Sequence, residues 1–85
     1  MRIIFSRRFI KDFKKCPNKI QQAFKNRMLL FFIDQFNPLI NNHALVGRYD
    51  KYRSINISGD WRAIFEQSSN TAYFVTLGTH SKLYG

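Results

Sequence analysis

The sequence predicts an α+β fold in the order β-α-α-β-β-β, with a helical hairpin packed on a twisted, mainly antiparallel sheet. Three observations carry this. The hydrophobic period changes once along the chain, from helical spacing before residue 37 to alternation after residue 51. Pro17 and Pro38 stand where the helical pattern is interrupted. Two turn-forming segments, Gly59-Asp60 and Ser68–Asn70, divide the alternating part into strands.

The elements follow in order. Ile3, Ile4 and Phe5 form a β-prone run that ends at Ser6, a good helix N-cap. Phe9, Ile10 and Phe13 then recur at i, i+1 and i+4 among Arg8, Lys11, Asp12, Lys14 and Lys15, an amphipathic helix. Pro17 stops it and suits the first turn of the next helix. That second helix is expected from Asn18 to Phe36, with Ile20, Ala23, Phe24, Met28, Phe31, Phe32 and Ile33 as its apolar positions. The stripe broadens toward its C-terminal end, which predicts that this half is mostly buried. Asn37-Pro38 ends the helix, because the residue before proline disfavours the α region. Residues 37–51 read as an irregular connection anchored by Leu39, Ile40 and Leu45. Arg53, Ile55 and Ile57 then alternate with Ser54, Asn56 and Ser58, and strands over Trp61–Glu66 and Ala72–Leu77 complete the sheet.

Eighty-five residues make one domain, residues 1–85, and nine phenylalanines are its natural core. A hydrophobic content of 45% argues against a disordered chain. The single cysteine, Cys16, forms no internal disulfide, and one Cys with two His falls short of the usual four-ligand zinc site. The longest apolar run, Met28 to Ile33, falls far short of the roughly 20 residues of a membrane span. The N-terminus has too short an apolar core for a signal peptide. The expectation is a soluble, cytoplasmic protein with no membrane association.

Charge is the outstanding property. Fourteen Lys and Arg face five Asp and Glu, a net charge of +9. Such a field suits an anionic partner. Nine of the fourteen basic residues lie in the first 27 positions, all but Arg2 on the two helices. A solvated helix face and a phosphate or acidic-partner surface both explain them. Arg48, Lys51 and Arg53 instead bracket Tyr49 and Tyr52, a pattern that can hold phosphates and stack bases.

The chain has two histidines, His43 in the irregular connection and His80 directly after the last strand. Metal-free cleavage of RNA needs a base for the 2′-OH, a cation for the phosphorane and an acid for the departing 5′-oxygen. Imidazole suits both proton transfers, and Arg suits the middle role. His43, His80, Asp60 and Arg62 are sufficient parts, with no cofactor and no metal required. The sequence does not place the two histidines together.

The stretches His43-Ala-Leu-Val-Gly, Tyr52-Arg53-Ser-Ile-Asn-Ile, Asp60-Trp61-Arg62-Ala-Ile-Phe and Gly78-Thr79-His80-Ser-Lys-Leu-Tyr84 resemble the RelE/ParE superfamily of bacterial toxins, most of all its YafQ-type branch. The resemblance covers the whole chain, including the Phe9–Lys15 region. It implies a fold like microbial ribonucleases and metal-independent cleavage of mRNA in the ribosomal A site, next to ribosomal RNA. It also implies a cognate antitoxin that neutralises a monomeric toxin. By position it gives His43 the role of general base, His80 that of general acid and Arg62 that of phosphorane stabiliser. Asp60 matches the acidic residue before the aromatic, and Tyr84 a terminal aromatic that stacks on a base. Arg48, Lys51 and Arg53 are expected to hold substrate. Asn56 stands where the branch has a further histidine; it can hydrogen-bond substrate but carries no proton at neutral pH. Two other readings remain beside the nuclease: a ParE-like inhibitor of DNA gyrase, and a basic nucleic-acid-binding module without catalysis.

Overall fold

A computed structural model describes residues 1–84. A five-stranded sheet, ordered β1-β5-β4-β3-β2, is built from β1 (Arg2–Phe5), β2 (His43–Ala44), β3 (Arg53–Ser58), β4 (Trp61–Ser68) and β5 (Thr71–Thr79). β1 runs parallel to β5, and every other neighbouring pair is antiparallel. Helices α1 (Arg7–Lys14) and α2 (Asn18–Ile33) lie between β1 and β2 in sequence, and α3 (His80–Tyr84) follows β5. The α+β class and the mainly antiparallel sheet agree with expectation.

The junction from β1 to α1 is held by Ser6. Its hydroxyl accepts from the Phe9 amide at 2.9 Å and donates to the Val75 carbonyl at 3.0 Å. One side chain thus caps the helix and ties it to β5. Gln21 closes the helical hairpin by donating to the Phe13 and Cys16 carbonyls at 3.2 and 3.1 Å.

The core lies between these helices and the sheet. Phe9 and Phe24 meet Phe74 at 5.8 and 6.0 Å between ring centres, while Phe31 sits edge-on to Phe65 at 5.3 Å. Ile20, Ile40, Ile55 and Ile57 complete it.

Two expectations about α2 are corrected. The helix ends at Ile33, not Phe36, because Asp34 adopts extended backbone and its carboxylate takes the Phe36 amide at 3.0 Å. Side-chain competition for a backbone donor breaks the helix there. Its broad apolar end is also not mostly buried: Phe31 is, but Leu29, Phe32 and Ile33 are exposed, Ile33 at 83%. The sheet covers the side carrying Ile20, Phe24 and Phe31, and among the described residues no layer lies over the other. Phe32 and Phe36 accordingly stand outside the aromatic core.

The connection after α2 is less irregular than expected. It contains two 3-10 turns, Pro38–Ile40 and Gly47–Tyr49, and the short strand β2 between them. The β3–β4 hairpin turns on Gly59 and Asp60 as expected, with Gly59 at φ +54°, where glycine avoids Cβ strain.

Candidate active site

Register builds the site. β2 sets His43 opposite Ser54, and β4 sets Arg62 opposite Asn56. Side chains alternate along β3, so Ser54 and Asn56 point away from the core face that carries Ile55 and Ile57. The second face of the sheet is covered by the Gly47–Tyr49 turn and by α3. Tyr49 donates to the Leu83 carbonyl at 3.1 Å, and its ring meets Tyr84 edge-on at 5.8 Å. His80 heads α3, its amide donating to the Asp60 carbonyl at 2.8 Å. The outcome is a hollow of about 210 Å³ lined by His43, Tyr49, Ser54, Arg62, His80 and Tyr84. Two histidines far apart in sequence share one concave surface with an arginine. Its size fits a phosphate and part of the sugars attached to it.

Asn41, just before β2, has left-handed backbone at φ +47°, a conformation asparagine tolerates better than most residues. Its carbonyl lies 2.8 Å from His43 Nδ1. A carbonyl only accepts, so Nδ1 carries the proton in the neutral ring. Nε2 is left as a free acceptor, the form a general base requires.

Arg62 donates through Nη1 to the Gly59 and Trp61 carbonyls, at 2.8 and 3.0 Å. These bonds fix the guanidinium beside the hairpin turn. Among the described residues the one ion pair is Arg8 with Asp12, at 3.5 Å, so no carboxylate neutralises Arg62. The charge stays available to an anion. The His80 ring packs edge-on against Tyr84 at 4.7 Å.

The remaining expected residues are distributed differently. Asp60 is exposed at the turn and off the lining of the hollow; its backbone carbonyl, rather than its carboxylate, meets α3. Asn56 is on the same face of β3 but off the lining of the hollow, with a buried Oδ1 that has no hydrogen-bond partner. Arg48 rests its guanidinium over the Tyr49 ring at 5.2 Å and is off the lining of the hollow. Lys51 and Arg53 are not brought to the histidines. They line a separate hollow of about 460 Å³ with Phe36, Tyr52 and Gln67. Arg53 is on the core-side face, tied to Asn42 at 2.8 Å and stacked on Phe36 at 5.5 Å. Odd and even positions of β3 thereby separate Arg53 from Ser54.

Two lining residues escape the sequence reading. Tyr49 reads as a base-stacking aromatic but is a strut for α3. Ser54 reads as a wet-face position but is fully buried. Among the described residues no three His, Cys, Asp or Glu side chains gather as a metal site, and no helix is long and apolar enough to cross a membrane.

A family model described as the bacterial toxin of type II toxin-antitoxin systems, YafQ, matches residues 1–85. The chain belongs to the YafQ family of type II toxins. YafQ from E. coli strain BL21(DE3) is similar to this toxin at 24% identity and a TM-score of 0.83, over 100% of both chains. YafQ in the E. coli DinJ-YafQ complex is 26% identical with a TM-score of 0.81, again over 100% of both. The chain matched in the RelB-RelE antitoxin-toxin complex from Methanococcus jannaschii is 21% identical, with a TM-score of 0.75 over 95% of this chain and 94% of that one. A comparison with curated protein sequences finds no match. The helix-on-sheet architecture described above is that of RelE-type toxins.

Proposed function

We propose that this toxin is a ribosome-dependent endoribonuclease that cleaves mRNA and arrests translation, and that a cognate antitoxin covers its site. The observation that carries the reading is the His43–Asn41 bond, which makes Nε2 the acceptor of the neutral His43 ring, on a residue that lines one hollow with Arg62 and His80.

The steps follow from these groups. His43 Nε2 takes the proton of the 2′-OH, and the 2′-oxygen forms a bond to the adjacent phosphorus. Arg62, fixed and unneutralised, stabilises the negative charge that builds on the phosphorane oxygens. His80, in its protonated form, gives a proton to the 5′-oxygen as the P–O5′ bond breaks. A 2′,3′-cyclic phosphate and a 5′-hydroxyl are left. Asn56 cannot take over either transfer, so the base role rests on His43. Tyr84, edge-on to His80, forms the wall against which a base can lie.

The lysines and arginines of α1 and α2 lie on the other layer and suit ribosomal RNA or an acidic antitoxin. Support for the antitoxin comes from two relatives whose structures hold toxin and antitoxin together, DinJ-YafQ and RelB-RelE.

His80→Ala tests the catalytic reading. It should relieve growth arrest at equal expression while the protein stays folded, and primer extension should lose new mRNA 5′ ends inside codons. Arrest that persists overturns the assignment. DNA breakage without new mRNA ends supports gyrase inhibition instead.

A further inference from the structure

Ser54 is wholly buried, and its hydroxyl has no hydrogen-bond partner. A buried hydroxyl left unpaired destabilises a fold, so it is uncommon unless something else meets it. Its position is informative. Ser54 lies opposite His43 across the β2–β3 pair and lines the same hollow as Arg62 and His80. Two more buried orphan atoms belong to this face: Asn56 Oδ1, two residues along β3, and the Tyr84 hydroxyl on the hollow's wall. Two of these unpartnered atoms, Ser54 Oγ and the Tyr84 hydroxyl, belong to residues that line one small cavity, which suits it to a polar ligand.

The chemistry of that ligand can be narrowed. Arg62 contributes an unneutralised positive charge, so the ligand is an anion. In its neutral form His43 spends its Nδ1 proton on Asn41 and presents an acceptor. On the strand side of the hollow the Ser54 hydroxyl is therefore the available donor. A guanidinium and a hydroxyl approaching from adjacent strands suit two oxygens of one tetrahedral group.

We propose that Ser54 is a substrate-contacting residue whose hydroxyl donates to a non-bridging oxygen of the phosphate seated between His43, Arg62 and His80. This rests on the reading of the hollow as a phosphodiester site. Ser54 then positions the phosphorus against His43 Nε2, and its empty-state cost is released when substrate binds.

The experiment uses purified toxin and adenosine 3′-monophosphate, titrated by NMR through the ring signals of His43 and His80, with thermal unfolding in parallel. Ser54→Ala should keep or raise the melting temperature, because it deletes an unpaired buried group, and should weaken the nucleotide about ten-fold. Arg62→Ala should weaken it further. Affinity of Ser54→Ala within two-fold of the parent overturns the proposal. So does a melting temperature lowered by several degrees, which shows the hydroxyl to be satisfied within the fold by water. Absence of nucleotide binding by the parent overturns the seat while mRNA cleavage in cells upholds the nuclease. Ser54-dependent binding with no new mRNA ends upholds the seat and sinks the nuclease.

Discussion

Replacing Tyr49 by Phe isolates the strut that holds α3. A five-residue helix does not persist on its own, so α3 depends on its attachments. Four are visible: the Tyr49 hydroxyl on the Leu83 carbonyl at 3.1 Å, the Lys82 amide on Thr79 Oγ1 at 3.3 Å, the His80 amide on the Asp60 carbonyl at 2.8 Å, and ring contacts with Tyr84. Tyr49→Phe removes the first and keeps the ring. A neutral hydrogen bond at a half-buried site contributes about 1 kcal/mol, which converts to about five-fold more frequent opening of α3. Amide exchange at Leu83 and Tyr84 should quicken by that factor, while amides in β4 keep their protection. Because α3 carries His80 and Tyr84, cleavage should fall by a similar or smaller factor. Unchanged exchange in α3 would refute the strut. Equal acceleration in β4 would refute it too, by showing the effect to be global.

Three further outcomes are expected. Phe74→Ala empties a site touched by the rings of Phe5, Phe9, Phe24, Phe31 and Phe65, and should cost about 3–5 kcal/mol in chemical denaturation. Ser6→Ala removes both the α1 cap and the bond to Val75, and should cost about 1–2 kcal/mol by the same measurement. Burial, reinforced by Asp12 and partly offset by Lys82, pushes the Cys16 thiol up. It should therefore react with a thiol reagent at neutral pH more slowly than an unstructured cysteine, the rate climbing only in alkali. The sign for stability follows: the fold favours the neutral thiol, and that contribution is full at neutral pH and lost as pH rises through the folded-state value.

The helices, the hairpins and the turn at Gly59 are legible because each is a local pattern. What escapes is decided by partners distant in sequence or by single side chains. Asp34 ends α2 through one carboxylate that captures one amide, while the apolar pattern runs on to Phe36. Leu29, Phe32 and Ile33 look like core because periodicity reports apolar character, not whether a layer stands opposite. His43 and His80 are recognisable as imidazoles, but their convergence depends on strand order and on the 3-10 turn and α3 that cover the second face. Ser54 is the hardest to read. Serine at an alternating position reads as solvent-facing, and its burial arises from residues that come earlier and later in the chain. Arg53 shows the converse: one position away, the pleat turns it to the other side of the sheet.

The parallel pairing of β1 with β5 has a consequence for how the chain folds. Ser6 and Val75, bonded at that junction, are 69 residues apart. Closing so long a loop is entropically unfavourable until β5 exists as a template, whereas the β3–β4–β5 meander closes through two-residue turns. The meander is thus the natural nucleus, and β1 joins it late with α1 attached through Ser6. Amides of β1 should gain exchange protection after those of β4 during refolding. The first strand in sequence is then among the last in time, and until it docks the aromatic cluster around Phe74 stays open along one edge.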